Sequence, residues 1–373
     1  MDGEAASHSR QPAPACSKIV TMAHSLFRSV SRHVSALALL IPPALLVAQA
    51  PQPQVGLINR DAAVFSERSK ELYMVSTASD AILAIQSDGT SKTIRVGSQP
   101  DAVAVNNRTG IVYVVNPGSR TVSIIDSAKD EVVATVPTAA RPYAIAVDEA
   151  RNRAYVSNTF SNLLTVIDGE TNAVTNLKVG SADVIMVDPD RRRVYLMGYE
   201  SDAITELNPE DGSTSKIPAG AMHLWGLARV GHILYVTHIQ NASVAAVDLE
   251  SHTVRSIPTG KMPCAIAQDI SRNEIYVANY ADGTVTLLHD NKAITTVRVA
   301  PHPQALAVDA AKGLLYAASP QEDSVSIVDL RSHRLLRTRR VAGHPYAVGI
   351  APATGKAYAV TVLQPSLALL TAE

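Results

Sequence analysis

Basic and imidazole side chains recur at one position of a pattern that repeats along the chain. This position is occupied in turn by Asn59, Gln99, Arg141, Ser181, His223, Met262, His302 and His344. Arg60 and Lys261 lie beside it, and His238 occupies a second recurring polar position. Arginine, lysine and histidine donate hydrogen bonds and positive charge, which is the chemistry that recognises carboxylates and phosphates. If the fold gathers these side chains, they could bind an anionic small molecule or peptide.

The hypothesis of a ligand site at these positions has a simpler alternative. In the alternative, asparagine, serine and threonine terminate strands and cap turns, and the histidines are solvated loop residues. The candidate ligand-binding residues are Arg60, Gln99, Arg141, His223, His238, Lys261, His302 and His344.

The same residues do not predict a metal centre or a cofactor site. One metal ion needs ligands within about 2.0 to 2.1 Å, whereas His302 and His344 belong to different copies of the repeat. The chain also lacks a G-x-S-x-G elbow, an H-E-x-x-H motif, a Walker loop and a C-x-x-C-H haem attachment motif. We therefore assign no catalytic residue, no metal ligand and no cofactor.

A second set of acidic residues is expected to be structural. Each ends an apolar run and precedes a hairpin turn such as EARNR, so hydrogen bonding within the turn is favoured over acid or base catalysis. These residues are Asp148, Asp188, Asp269 and Asp309.

Eight tyrosines divide most of the chain into copies of one pattern. They are Tyr73, Tyr113, Tyr155, Tyr195, Tyr235, Tyr276, Tyr316 and Tyr358, at intervals of 40 to 42 residues. Each lies in a short β-forming run such as YVVN, which a run of small apolar residues such as AVAV precedes, and two more β-forming runs follow. Four short strands per copy, with no helical periodicity between them, predict a four-stranded antiparallel sheet.

Such a sheet cannot bury either of its faces alone, but sheets arranged in a ring cover one another, as in a β-propeller. The eighth copy supplies only three strands, and QVGLIN at 54–59 lies where the other copies have their fourth strand. We therefore predict an all-β propeller of eight four-stranded blades, closed by this N-terminal strand. Seven blades with an additional terminal segment is the alternative. The tyrosines are expected to lie between blades, with each hydroxyl bonded to the backbone.

Chain direction is expected to bring the candidate residues to one face. In an up-and-down blade, the connection into the first strand and the end of the second strand lie on the same side. The candidates either precede the first strand or end the second one. They are predicted to form a polar, mildly basic ring around the mouth of the central channel.

The repeat resembles that of the YVTN family of β-propeller proteins. The matching segments are YVVN at 113–116, YVSN at 155–158 and YVAN at 276–279, and segments such as PDAVAVN and PYAIAVD precede them. The resemblance covers about residues 55–373 and departs from the pattern at HLWGLARV, YLMG and YAVT. It implies an exported or surface-associated propeller. Similar propellers include lactone hydrolases, so a lactonase-like hydrolase is the alternative to a binding or scaffolding module.

The N-terminal segment has the features of a secretory signal. Residues 33–50 read HVSALALLIPPALLVAQA, follow Arg28 and Arg32, and end in a small-x-small triplet. We predict cleavage after Ala50, which separates an extension at 1–50 from a propeller domain at 51–373. The apolar run is short for a membrane span, although a retained anchor is the alternative. Translation from either Met1 or Met22 is compatible with this signal.

The composition disfavours several partners. Loss of residues 1–50 leaves 29 basic and 32 acidic side chains, a net charge of −3, so no global charge attracts nucleic acid or an anionic membrane, although a local patch could still do so. Aromatic residues make up 4% of the chain, which disfavours an aromatic-rich binding platform. The one remaining cysteine, Cys264, is predicted to be a buried, unreactive residue. We predict a monomeric, exported propeller that is periplasmic, cell-surface or secreted and binds an anionic ligand, peptide or protein.

Overall fold

The computed structural model describes residues 62–76, 79–86, 88–159, 161–351, 355–361 and 368–370. These residues lie in one compact unit, Ile58–Glu373. The predicted signal peptide, segment 54–59 and Arg60 lie outside the described residues. No helix in the described ranges is long and apolar enough to span a membrane.

The described strands form eight antiparallel sheets, which we call blades 1 to 8 in chain order. Blades 1 to 4 comprise β1 (Ala63–Ser66), β2 (Glu71–Ser76), β3 (Ala81–Ile85), β4 (Ser91–Arg95); β5 (Ala102–Asn106), β6 (Ile111–Asn116), β7 (Thr121–Asp126), β8 (Glu131–Pro137); β9 (Pro142–Asp148), β10 (Arg153–Asn158), β11 (Leu163–Asp168), β12 (Val174–Lys178); β13 (Val184–Asp188), β14 (Arg193–Met197), β15 (Ala203–Leu207) and β16 (Thr214–Pro218). Blades 5 to 8 comprise β17 (Leu224–Val230), β18 (Ile233–His238), β19 (Ser243–Asp248), β20 (Val254–Pro258); β21 (Pro263–Asp269), β22 (Glu274–Asn279), β23 (Thr284–His289), β24 (Lys292–Arg298); β25 (Ala305–Asp309), β26 (Leu314–Ser319), β27 (Ser324–Asp329), β28 (Arg334–Arg340); β29 (Pro345–Ala351), β30 (Lys356–Thr361) and β31 (Ala368–Leu369).

The blades close into a ring around their first strands. Each first strand contacts the first strand of the next blade, and β29 of blade 8 contacts β1 of blade 1. The half-buried Tyr346 of blade 8 packs against apolar side chains of blade 1 at this junction. The predicted eight-bladed propeller is therefore confirmed, and the seven-bladed alternative is wrong. Blade 8 has three described strands, and the predicted closing strand at 54–59 is not among the described residues.

A hydrophobic core lies at each junction between neighbouring blades. Between blades 2 and 3, for example, Tyr113 and Ile124 pack with Val156 and Ile167. Equivalent cores occur at the other seven junctions, so each sheet is covered on both faces by its neighbours. This explains why second strands such as β2 and β26 are buried along their whole length and consist mainly of apolar residues. Burial of apolar surface in this way is the main stabilising contribution to the fold.

The eight repeat tyrosines occupy these junctions as predicted, and each is at most 5% exposed. Their hydroxyl groups differ from the prediction, because most do not bond to the backbone. The hydroxyl of Tyr73 lies 2.9 Å from Oδ1 of Asp130, and that of Tyr235 donates to Oδ1 of Asn291 at 2.7 Å. Both partners belong to the next blade. The phenol is long enough to cross the junction, where turn side chains supply acceptors that sequence spacing does not reveal.

The face opposite the predicted channel mouth is built from Asp-containing hairpin turns. Oδ1 of Asp148 accepts a hydrogen bond from the backbone N–H of Arg151, and Asp188 does the same for Arg191. Asp269 and Asp309 form the same contact in blades 6 and 7. The predicted structural role of these aspartates is confirmed.

Candidate functional site

The connections into the first strands, which we call the mouth loops, lie on one face beside the ends of the second strands. In blade 3, for example, the N–H of Thr159 donates to the carbonyl oxygen of Arg141. This shared position confirms the predicted relation between the two chain segments. We call this side of the propeller the mouth face.

The residue that precedes the first strand has left-handed backbone geometry in most mouth loops. Six of the seven described residues at this position have φ between 54° and 62°, and they are Gln99, Arg141, His223, Met262, His302 and His344. In the loop of Ser181, the left-handed residue is instead Gly180, with φ of 88°. Left-handed geometry is unfavourable for residues with a side chain, so the surrounding contacts must impose it.

Carboxylates from the turns between second and third strands hold several mouth loops in place. The backbone N–H of Gln99 donates to Oδ1 of Asp80 at 2.7 Å. The N–H of Lys261 donates to Asp282 at 2.8 Å. Hydrogen bonds to ionised carboxylates are stronger than neutral ones, so these loops are pre-organised before any ligand binds.

The asparagines that end the second strands are internal to the blades and do not contribute to a binding surface. Asn116, Asn158 and Asn279 are each at most 2% exposed. The side-chain N–H of Asn279 donates to the hydroxyl of Thr286 at 2.8 Å, and its Oδ1 accepts from the N–H of Gly260 at 3.1 Å. For these residues, the simpler interpretation of strand termination and capping is confirmed.

The candidate ligand-binding residues occupy three kinds of environment. Gln99, Arg141 and Lys261 are exposed. The mouth-loop histidines, which are His223, His302 and His344, are intermediate in exposure. His238 is only 3% exposed, burial lowers its pKa, and its Nε2 has no hydrogen-bond partner among the described residues. His238 therefore does not share the exposed position predicted for it, because the end of β18 is covered by the mouth loop that precedes blade 5.

Acidic side chains accompany the histidines around blade 7. Nδ1 of His302 lies 3.2 Å from Oε1 of Glu322, and Nδ1 of His344 lies 3.4 Å from Oδ1 of Asp323. Nδ1 of His344 also lies 2.8 Å from the carbonyl oxygen of Pro320. Glu322 and Asp323 add negative charge beside these histidines. The mouth face near blade 7 is therefore less basic than the sequence predicts.

A ninth apolar cluster lies on the mouth face and is separate from the eight junction cores. Its buried centre consists of Ile239, Cys264 and Ala278. Half-buried side chains from blades 4, 6 and 7 surround that centre, and they are Tyr199, Met262, Ala265, Tyr280 and Leu306. We call this set the mouth cluster.

Aromatic and imidazole rings border the mouth cluster. The ring of Tyr199 lies 5.2 Å from that of His223 and 5.9 Å from that of Trp225, both in edge-on arrangements. The ring of Tyr280 lies 4.9 Å from that of His302. Trp225 is 38% exposed and Met222 is 49% exposed. Few aromatic residues are present, yet the structure concentrates several of them beside the mouth loops, contrary to the compositional argument against an aromatic surface.

Two ionisable groups near this cluster have shifted pKa values. Burial raises the pKa of Asp183, although its Oδ2 accepts a hydrogen bond from the N–H of Tyr199 at 2.8 Å. Burial also raises the pKa of Cys264 to about 12. The Cys264 thiol is therefore protonated at neutral pH, and it lies 3.3 Å from the carbonyl oxygen of Pro303. The predicted burial of this cysteine is confirmed.

In the described part of the chain, no serine or cysteine side chain hydrogen-bonds to a histidine, which a nucleophile and base would require. Within the described ranges, no group of three or more His, Cys, Asp or Glu side chains could hold a metal ion. The mouth face has apolar and aromatic surface beside hydrogen-bond donors.

Sequence reasoning missed the aromatic side of this site. Trp225 lies in HLWGLARV, the segment where the fifth copy departs from the repeat, and Tyr199 and Tyr280 directly follow their second-strand runs. Trp225 directly follows the entry residue of its copy, as Tyr143 and Tyr346 do in theirs, so the recurrence of a large aromatic residue at this position was the available signal. The proximity of Tyr199 to His223 was not readable, because the two residues belong to different blades.

Comparison with known proteins identifies the fold but no family. No protein-family model matches the chain, and no curated protein matches it in sequence. Among solved structures, hydrazine synthase from Kuenenia stuttgartiensis has a TM-score of 0.61 at 16% identity, covering 87% of this chain and 99% of that chain. The dihydro-heme d1 dehydrogenase NirN has a TM-score of 0.68 at 13% identity, covering 85% and 76%. Virginiamycin B lyase from Staphylococcus aureus has a TM-score of 0.56 at 14% identity, covering 70% and 93%. At such identities the similarity concerns the fold, and chemistry is not transferred.

Proposed function

We propose that the protein is a monomeric, exported β-propeller that binds a ligand or partner on its mouth face. The observation that carries the proposal is the exposed Trp225, which lies against Tyr199 beside the mouth cluster. An indole ring is large and apolar, so its burial would stabilise the protein, and its exposure next to other apolar groups is typical of a binding surface.

The neighbouring charges support a ligand that combines an apolar part with an anionic group. Arg141 and Lys261 are exposed on mouth loops, and His223 lies against Tyr199. His302 and His344, which precede blades 7 and 8, already have carboxylate neighbours, which would repel an anion. The proposed site therefore extends over blades 3 to 6, with Trp225 as its apolar contact.

Trp225 provides a direct test, because it is the only tryptophan in the chain. Purified protein would be titrated with aromatic carboxylates and with acidic peptides while its fluorescence is recorded. We expect a saturable change in emission for at least one compound. Arg141→Ala should weaken that binding about tenfold or more, since a charge-assisted hydrogen bond is lost.

Arg255→Ala is the matched control, because Arg255 is an exposed arginine on β20. Strand β20 is the fourth strand of blade 5, and we call the fourth strand of each blade its outer strand, because it lies at the opposite edge of the sheet from the first strand. Unchanged affinities in both Arg141→Ala and His223→Ala would contradict the proposal. The same protein would be incubated with lactones and esters. Turnover that a mouth-face substitution abolishes would favour the lactonase-like alternative instead.

We propose export on the basis of the apolar run at 33–50 and the small-x-small triplet that ends it. N-terminal sequencing of the protein from its native host should give Pro51 as the first residue. Recovery from the cell interior with Met1 or Met22 at the N-terminus would contradict export.

We further propose that the repeats are of the YVTN type. The asparagine of that pattern has one function in its three best matches, since each side-chain amide donates to a hydroxyl seven residues later. The pairs are Asn116 with Ser123, Asn158 with Thr165 and Asn279 with Thr286. A recurring buried contact of this kind gives a physical reason for asparagine at the end of the second strand.

A further inference from the structure

The outer strand of blade 7 differs from the other outer strands in its charge. Strand β28 reads RLLRTRR, with four arginines and no acidic residue in seven positions. Six of its seven residues are exposed, and Arg337 is intermediate. At about 3.3 Å per residue, these guanidinium groups are spread over about 20 Å of the outer rim.

The other described outer strands have far less positive charge. The most basic of them are β4, with Lys92 and Arg95, and β24, with Lys292 and Arg298. Strands β12, β16 and β20 have one basic residue each, and β8 has none. One or two charges are enough to discourage pairing at an open sheet edge. The four arginines of β28 therefore exceed what edge protection requires.

Three of the four arginines of β28 are not paired with a carboxylate in the described part of the chain. Among the described ion pairs, none involves Arg334, Arg339 or Arg340. Asp329, opposite Arg334 in the sheet, has its Oδ1 engaged by the hydroxyl and the N–H of Ser332. A row of cations without such compensation produces a positive potential that extends into solvent.

Exposed aliphatic side chains lie among these cations. Leu335 is 40% exposed and Leu336 is 55% exposed. On the neighbouring strand β24, Ile294 is 53% exposed and lies between basic Lys292 and Arg298. The two strands are in contact, and His333 and Thr295 line the same crevice between blades 6 and 7. The rim of these two blades therefore combines basic and aliphatic residues without an aromatic side chain on either outer strand.

We propose that this rim docks on an anionic lipid surface. Cations near such a surface are attracted to the headgroups, and aliphatic side chains gain by insertion at the boundary of the acyl region. Single-stranded nucleic acid is a poorer match, because its bases bind by stacking on aromatic rings. A soluble anionic polymer would use the arginines but not Leu335 and Leu336. Docking through β28 leaves the mouth face free, so this inference does not depend on the proposed ligand site.

The test measures partition of the whole protein onto sedimented vesicles. Vesicles of phosphatidylcholine alone would be compared with vesicles that also contain phosphatidylglycerol. We expect binding to the anionic vesicles only, weakened by added salt. The variant Arg334→Gln/Arg339→Gln/Arg340→Gln should lower the partition coefficient about a hundredfold, since each cation contributes about fivefold.

The control variant Arg95→Gln/Lys178→Gln/Arg255→Gln removes the same charge from the outer strands of blades 1, 3 and 5. It should bind like the unaltered protein. Leu336→Ser should lower partition about tenfold, whereas Val133→Ser, at a side chain 51% exposed on β8, should not. Thermal unfolding would verify that each variant is folded.

Three outcomes would overturn the proposal. The first is absence of binding to anionic vesicles at physiological salt. The second is an equal loss of partition in the β28 variant and in its control. The third is a partition coefficient that Leu336→Ser leaves unchanged. In the last case, equally tight binding to heparin would identify a soluble anionic polymer as the partner.

Discussion

The hydroxyl oxygen of Tyr73 in blade 1 lies 2.9 Å from Oδ1 of Asp130 in blade 2. It lies 2.9 Å from Oε2 of Glu71 as well. A phenol has one proton and donates to one carboxylate at a time, so the second contact needs a proton on a carboxyl group. Burial raises the pKa of Glu71, whereas Nζ of Lys92 lies 3.8 Å from Asp130. We infer that Glu71 takes up a proton more readily than Asp130. When protonated, Glu71 donates to Tyr73, and Tyr73 donates to Asp130 across the junction.

Loss of this hydroxyl should destabilise the protein. Tyr73→Phe is expected to lower the free energy of unfolding by about 1 to 2 kcal/mol, because two carboxyl groups lose a hydrogen-bond partner. Tyr113→Phe is the matched comparison, since the Tyr113 hydroxyl is buried without a partner among the described residues. Its removal should leave stability unchanged or raise it. Urea unfolding followed by circular dichroism measures both, and equal losses would contradict the proposed contact.

The raised pKa of Glu71 predicts a pH dependence of stability. Below pH 4.5, the ordinary pKa of this group, the carboxyl is protonated in both folded and unfolded chains and its contribution to stability is fully present. As the pH rises through the raised pKa, this contribution is lost. The variant Glu71→Gln cannot ionise at this position, so it does not lose the contribution. Its stability relative to the unaltered protein should therefore increase as the pH rises from 4 to 8. Urea unfolding at several pH values measures the difference.

Glu250→Gln is the control for this pH series, because the Glu250 side chain is 74% exposed. Its stability difference from the unaltered protein should not vary with pH in the same direction. A constant difference for Glu71→Gln as well would show that folding does not raise the pKa of Glu71.

Cys264 should be unreactive in the folded protein. Its thiol is buried and its pKa is raised to about 12, so almost no thiolate is present at neutral pH. Iodoacetamide should label Cys264 only after denaturation, as measured by mass spectrometry of the peptide that contains it. Rapid labelling under native conditions would indicate that the mouth cluster opens.

Asn279 should contribute to stability through the loop that it holds. Asn279→Ala removes partners from Thr284, Thr286 and the N–H of Gly260, and we expect a loss of about 2 to 4 kcal/mol in the free energy of unfolding. Asn241→Ala, at an exposed asparagine in a turn of blade 5, should change stability by less than about 0.5 kcal/mol. Similar effects in the two variants would contradict a structural role for the repeat asparagine.

Much of the fold could be predicted because the repeat is visible in the chain itself. The tyrosine spacing and the four β-forming runs per copy correctly predicted eight blades, buried tyrosines and Asp-containing turns such as that of Asp148. The partner of the Tyr235 hydroxyl could not be predicted in the same way. Its acceptor, Asn291, lies 56 residues further along the chain, in a turn of the next blade.

The candidate site was predictable only in part. Chain direction in an up-and-down blade correctly indicated that the mouth loops and second-strand ends share one face. It did not distinguish the buried His238 from the half-buried His223, and it did not reveal the carboxylate of Glu322 beside His302. Burial and ion pairing depend on how neighbouring blades pack, and equivalent repeat positions can therefore differ in exposure and charge.

The sequence by itself determined the number of blades and the alternation of buried and exposed strands, because both follow from local periodicity and the need to cover apolar sheet faces. Only the tertiary structure decided that Tyr199, His223 and Trp225 meet on the mouth face. It also decided that the basic strand β28 lies on the outer rim beside exposed Ile294. Those relationships arise between blades, where ring closure sets the distances and sequence separation no longer limits which side chains come into contact.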